Sequence, residues 1–166
     1  MRVDPSTPSR LTWQARLASE LSVCERSKDR DFVTHVLQSH LYMKVAATIA
    51  TTRSPTVGVR KLSRELADYH RRTLIELIAI AGFDPAAWLG VENLETQSQK
   101  CIADLIDLPS RHFDAAYLGQ QCDAYAQIIR YWHAYGGHDL KLSSFAAATL
   151  AGLTYYHAQL NHMVGV

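Results

Sequence analysis

The sequence predicts an all-α fold, an antiparallel bundle of four principal helices, and three observations carry that reading. Apolar residues recur at helical spacing in four long segments. No segment alternates apolar and polar residues in the manner of a half-buried strand. Helix-breaking or helix-starting residues stand between the segments, at Ser54-Pro55, Gly82, Pro109 and Gly136-Gly137. A short extra N-terminal helix and a short helix in the connection between the second and third long helices complete the expected architecture.

Residues 1–10 carry Pro5 and Pro8 and read as a flexible N-terminal arm. Leu11, Trp13, Leu17, Leu21 and Val23 make 11–26 a short amphipathic helix, a surface for a protein partner or a second copy of the chain. The bundle is expected over 31–164. Its first helix, Asp31 to Thr52, places Val36, His40, Met43, Ala47 and Ala50 on one stripe, with Ala46 allowing close approach of a neighbour. Ser54-Pro55 is expected to cap and open the second helix, whose inner stripe is Val59, Leu62, Ser63, Leu66, His70, Thr73, Leu77 and Ala81, stopping at Gly82. Its other side carries Arg53, Arg60, Lys61, Arg64, Arg71 and Arg72, expected as a solvated face. Asp84-Pro85 can start a single turn, and Glu92 to Leu108 reads as the shorter connecting helix. Ser110 is placed to cap the third helix, where Phe113, Gln121, Ala124, Ile128, Tyr131, Trp132 and Tyr135 fall within about 60° of Tyr117. Asp139 is placed to cap the last helix, with Leu142, Ala146, Thr149, Leu150, Leu153, Tyr156, His157, Leu160 and Val164 on one face.

Composition narrows the function classes. At 166 residues the chain suits one domain, and a net charge of +1 provides no general electrostatic attraction for nucleic acid or an anionic membrane, so no nucleic-acid partner is expected. The longest weakly polar run, Phe145 to Tyr156, is far short of the ~20 residues a spanning helix needs. Met1 to Arg10 has no apolar stretch behind it, so the chain as it stands reads as cytoplasmic, with a periplasmic or exported location the alternative if a leader has been removed. Cys24, Cys101 and Cys122 are odd in number and far apart; Cys101 and Cys122 are expected as small core residues.

Phe113-Asp114-Ala115-Ala116-Tyr117 resembles the Phe-Asp-x-x-Tyr signature of a bacterial family of unknown function, a ferritin-like four-helix domain commonly labelled an outer-membrane or exported protein. With the helix order, the resemblance covers roughly Asp31 to Met163 and implies a ferritin-like antiparallel bundle. It also implies a polar centre: a Glu on the first helix, Asp-His on the second, a His on the third and a His on the fourth. Here those positions hold Met43, Tyr69-His70, Tyr125 and Tyr156, with His157 beside the last, so this chain is a divergent member that keeps His70.

A di-iron or di-manganese bundle needs inward carboxylates and Glu-x-x-His pairs. No Glu-x-x-His occurs, and Glu65, Asp68, Glu76 and Asp123 all fall on outer faces of their helices. Two readings of the histidines stay open. His70 and His157, with His40, could hold one transition-metal ion such as zinc or copper, because imidazole donors suit those metals. Alternatively they are core histidines hydrogen-bonded to tyrosines. Tyr69, Tyr125, Tyr156 and Trp132 could line an aromatic pocket for a small ligand or simply pack. The expected function is a non-enzymatic binding or structural bundle without a cofactor; the alternative is a metal-binding or metal-dependent redox protein using His70 and His157.

Overall fold

From Leu11 to Arg53 the chain contains neither proline nor glycine, and one uninterrupted helix, α1, runs Arg10–Arg53. The remaining elements are α2 (Val57–Ala81), two 3₁₀ turns (Pro85–Ala87 and Val91–Asn93), α3 (Thr96–Asp107), α4 (Ser110–His133) and α5 (Leu140–Val164). The computed structural model describes residues 10–136 and 139–165, with side chains from Lys28 onward. Among the described residues the protein is all-helical. The separate short helix expected over 11–26 is therefore the start of α1: the charged run Glu25 to Asp31 contains no proline or glycine to terminate a helix. Residues 1–9 of the expected arm, and the side chain of Trp13, lie outside the described residues.

The caps match local chemistry at three points and differ at two. Gly82 closes α2 in the left-handed conformation with φ 67°. Asp84 accepts from the Ala86 backbone N–H at 3.0 Å, and Asp139 accepts from Leu142 at 2.9 Å and caps α5. Ser54, expected as the α2 cap, instead accepts from the Thr56 N–H at 3.1 Å, forming a turn that puts the helix start at Val57. Ser110 is the first residue of α4 rather than its cap.

Two antiparallel pairs build the bundle, α1 with α2 and α4 with α5. The α1–α2 seam is the more extensive, because Val36, Met43, Ala46, Ala47 and Ala50 are wholly buried and the alanines let the helices come close. Arg53 at the end of α1 donates to the Leu108 carbonyl at 2.7 Å just before α4, while Phe32 near its middle stacks on Tyr131 late in α4, centroids 5.0 Å apart. Thus α1 and α4 are antiparallel, and Ser63–Tyr117 and His70–Tyr125 contacts show α2 and α4 parallel. One crossover, from Gly82 to Pro109, runs back along the bundle and lays α3 against α1. Gln38 pins it by donating to the Asn93 carbonyl at 2.7 Å and accepting from the Glu95 N–H at 3.1 Å.

The inner stripes of α1, α2 and α4 are buried largely as their spacing requires; on α5, Phe145 is buried and Val164, at the helix end, is 46% exposed. Cys101 and Cys122 are free and half-buried, Cys122 packed against the core and Cys101 at the edge of a surface cleft. On α2, Arg71 and Arg72 pair with Asp68 at 2.7 and 2.9 Å, and Arg60 donates to the Ser54 and Pro55 carbonyls.

The α2–α5 contact depends on a glycine. A Cβ on Gly152 would stand 2.7 Å from both Cε2 and the hydroxyl oxygen of Tyr69, and that hydroxyl is held by donating to the Thr149 carbonyl at 3.0 Å. Gly119 on α4 has no such neighbour within 4 Å. Gly152→Ala is expected to destabilise the protein by about 1–3 kcal/mol despite alanine's better helix propensity, whereas Gly119→Ala stabilises it by about 0.5–1 kcal/mol. Urea unfolding of the two variants beside wild type checks the contrast.

Candidate functional site

At mid-bundle the hydrophobic core gives way to a line of polar side chains. His40 on α1 and His70 on α2 point at one another, with Nδ1 to Nδ1 at 2.8 Å, and His70 Nε2 lies 2.7 Å from the Tyr125 hydroxyl on α4. His40, His70 and Tyr125 have no exposed surface. The imidazole lone pair is a better acceptor than a phenol oxygen, so Tyr125 donates to His70 Nε2. His70 then carries its own proton on Nδ1 and donates it to His40 Nδ1, which fixes His40 as the Nε2–H tautomer. Among the described residues His40 Nε2 has no hydrogen-bond partner, and neither does either amide atom of Gln121, also wholly buried. Gln121 follows Tyr117 by one helical turn and precedes Tyr125 by one, on the same face of α4. The Ser63 hydroxyl donates to Tyr117 at 3.0 Å, completing the polar stripe.

Burial decides the charge state of the whole line. It lowers His40 from the ordinary histidine range to about 3, and it lowers His70 well below that range, with His40 beside it acting in the same direction. Tyr125 is raised, again chiefly by burial. At neutral pH the chain is an uncharged relay of hydrogen bonds across three helices.

The expected site residues do not all converge. His40 and His70 meet directly, closer than the sequence alone implied. His157 on α5 is half-buried and meets the line at the ring of Tyr125, stacked with centroids 6.4 Å apart. Tyr69 sits edge-on to His70 at 5.1 Å and tilted on Tyr156 at 5.0 Å. Trp132 is not with them: it packs on Phe32 and Phe145 further along α4, because the inner face of a helix is shared by residues up to several turns apart. Tyr69 also borders a surface hollow of about 260 Å3 with Arg72 and Thr149, which the fully buried Tyr125 does not reach.

For metal binding the donor geometry matters. Two nitrogens on one tetrahedral zinc, with bonds of about 2.0–2.1 Å, stand roughly 3.3 Å apart; at 2.8 Å the His40 and His70 nitrogens share a proton instead. Among the described residues no three His, Cys, Asp or Glu side chains converge in a metal-binding group. Glu65, Glu76 and Asp123 are exposed, as their helical positions require, and Asp68 is half-exposed in its pairing with Arg71 and Arg72.

A family profile described as a domain of unknown function, DUF4142, matches residues 15–163. The chain belongs to this family. The DUF4142 match begins inside the first half of α1, earlier than the Asp31 boundary expected from the Phe-Asp-x-x-Tyr resemblance, so that half is part of the family domain. No curated protein and no solved structure matches the chain.

Ser63, Gln121 and the direct hydrogen bond between His40 and His70 are the site features that sequence reasoning did not assemble. A polar residue on an otherwise apolar stripe was the available signal, and each of the three supplies one.

Because the folded histidines resist protonation while unfolded ones take up protons near pH 6.5, stability is full above that pH and falls as pH drops from about 6.5 toward 3. Between pH 7.5 and 5.5 the loss is on the order of 1 kcal/mol for His40, and His70 adds to it in the same direction. Urea unfolding at the two pH values should show it, and His40→Gln should remove its share of the pH dependence.

Proposed function

We propose that this DUF4142 protein is a non-enzymatic binding or structural protein, a ferritin-like bundle whose polar centre is a neutral hydrogen-bond relay. The observation that carries the reading is the 2.8 Å bond between His40 and His70, continued to Tyr125 at 2.7 Å. Every polar side chain buried among the described residues is neutral: His40, Ser54, Ser63, His70, Thr73, Gln121 and Thr149. Such a centre fixes the register of helices and contributes no nucleophile or carboxylate base. The ferritin-like description is supported by the arrangement of two antiparallel pairs joined through one long crossover.

The rival reading, a transition-metal site using His70 and His157, requires His70 to exchange its partners for an ion. Elemental analysis of untagged protein, wild type beside His70→Ala, separates the two. The relay predicts substoichiometric metal in both; a stoichiometric ion present in wild type and lost in the variant overturns it. Nitrogen NMR of the imidazoles at neutral pH should further show His70 as the Nδ1–H tautomer and His40 as the Nε2–H tautomer.

A further inference from the structure

Away from the buried histidines, α1, α3 and α4 enclose a cleft of about 350 Å3 that opens to solvent, within the range of small-ligand sites, roughly 300–1,000 Å3. Its lining is chemically uneven. Four glutamines border it, Gln38, Gln97, Gln120 and Gln127, with Ser39, Ser98 and the Tyr42 hydroxyl. Among the described residues no lysine or arginine lines it, and its carboxylates are Glu95 and Asp123. Three solvated helix faces would place charged residues here, whereas neutral amides give both donors and acceptors on one group.

Three of the lining side chains, Gln38, Tyr42 and Gln120, are held by hydrogen bonds within the protein. Gln38 uses both ends of its amide on the crossover backbone, at Asn93 and Glu95. Tyr42 donates to Gln120 Oε1 at 3.0 Å, which orients that amide and leaves its NH2 as the donating end. Burial, with Cys101 and Asp123 nearby, raises the Tyr42 phenol to about 12, so it remains a hydroxyl. The rings of Tyr42 and His35, with Ala124 and the glutamine methylenes, supply apolar surface between the polar tips.

We propose that this cleft binds a neutral, hydroxyl-rich small molecule, a sugar unit, through the amides of Gln97, Gln120 and Gln127 and the carboxylate of Asp123. A hydroxyl both donates and accepts, as do the lining amides, and a carboxylate accepts from paired hydroxyls. The apolar faces of a sugar ring need the aromatic and methylene surface that lies between them. An anionic ligand finds no countercharge here. The proposal rests on reading the bundle as a binding protein and gives it a ligand class.

The test is an amide NMR titration of the full chain with glucose, N-acetylglucosamine and maltose at millimolar concentration, and with spermidine as a cationic comparison. One of the sugars is expected to shift Gln38, Ser98, Gln120 and Gln127 together. Gln97→Ala, on the exposed face of α3, and Gln120→Met should each weaken that binding on the order of tenfold. The proposal is overturned if none of the sugars shifts these residues, if both folded variants bind as wild type does, or if spermidine alone binds. Any of those results alongside metal-free protein would remove the cleft while leaving the scaffold reading in place.

Discussion

Two imidazoles buried between closely packed helices cannot keep their water, and neither can keep a charge without a partner of opposite sign. His70 meets the first difficulty with a bond at each ring nitrogen and His40 with a bond at Nδ1, and both meet the second by remaining neutral. That pairing constrains the rest. His70 can face His40 only if α1 and α2 hold one register along their alanine seam, and its other nitrogen then dictates where Tyr125 must stand on α4. Leucine packing alone tolerates a shifted register at modest cost; a buried imidazole left unpaired costs roughly 1–3 kcal/mol. The polar line selects among arrangements that the apolar core would accept.

The crossover has a second role beyond returning the chain to the far end of the bundle. By lying against α1 it converts three polar helix faces into the walls of one cleft, and Gln38 ties it there through backbone bonds rather than side-chain packing. The histidine relay and the cleft thus lie on different sides of α1. One is buried and neutral, and the other is open and rich in exchangeable hydrogen-bonding groups.

Much of this was legible in the residues. Gly82, Asp84 and Asp139 act at the helix ends where their conformational and capping preferences place them, and the inner stripes of α1, α2 and α4 are buried in the predicted phase. The separate helices expected over 11–26 and from Asp31 are one, because no proline or glycine from Leu11 to Arg53 stops the helix between them. The contact of His40 with His70 was beyond helical periodicity, which states that a residue faces inward but not which residue on another helix it meets. His157 shows the same gap: its phase is right, and it reaches Tyr125 rather than His70. The cleft was invisible for a different reason, since each contributing face looks like an ordinary solvated surface until the crossover brings them together.

The single crossover also orders how the chain assembles. Helices α1 and α2 are joined by a three-residue connection, so the His40–His70 bond spans only 30 residues and forms within a local hairpin. Tyr125 reaches His70 across 55 residues, and only when the second hairpin docks. Contacts of greater sequence separation cost more loop-closure entropy and form later. The His40–His70 bond therefore closes a shorter loop than the phenol–imidazole bond, which exists only where the two hairpins are docked.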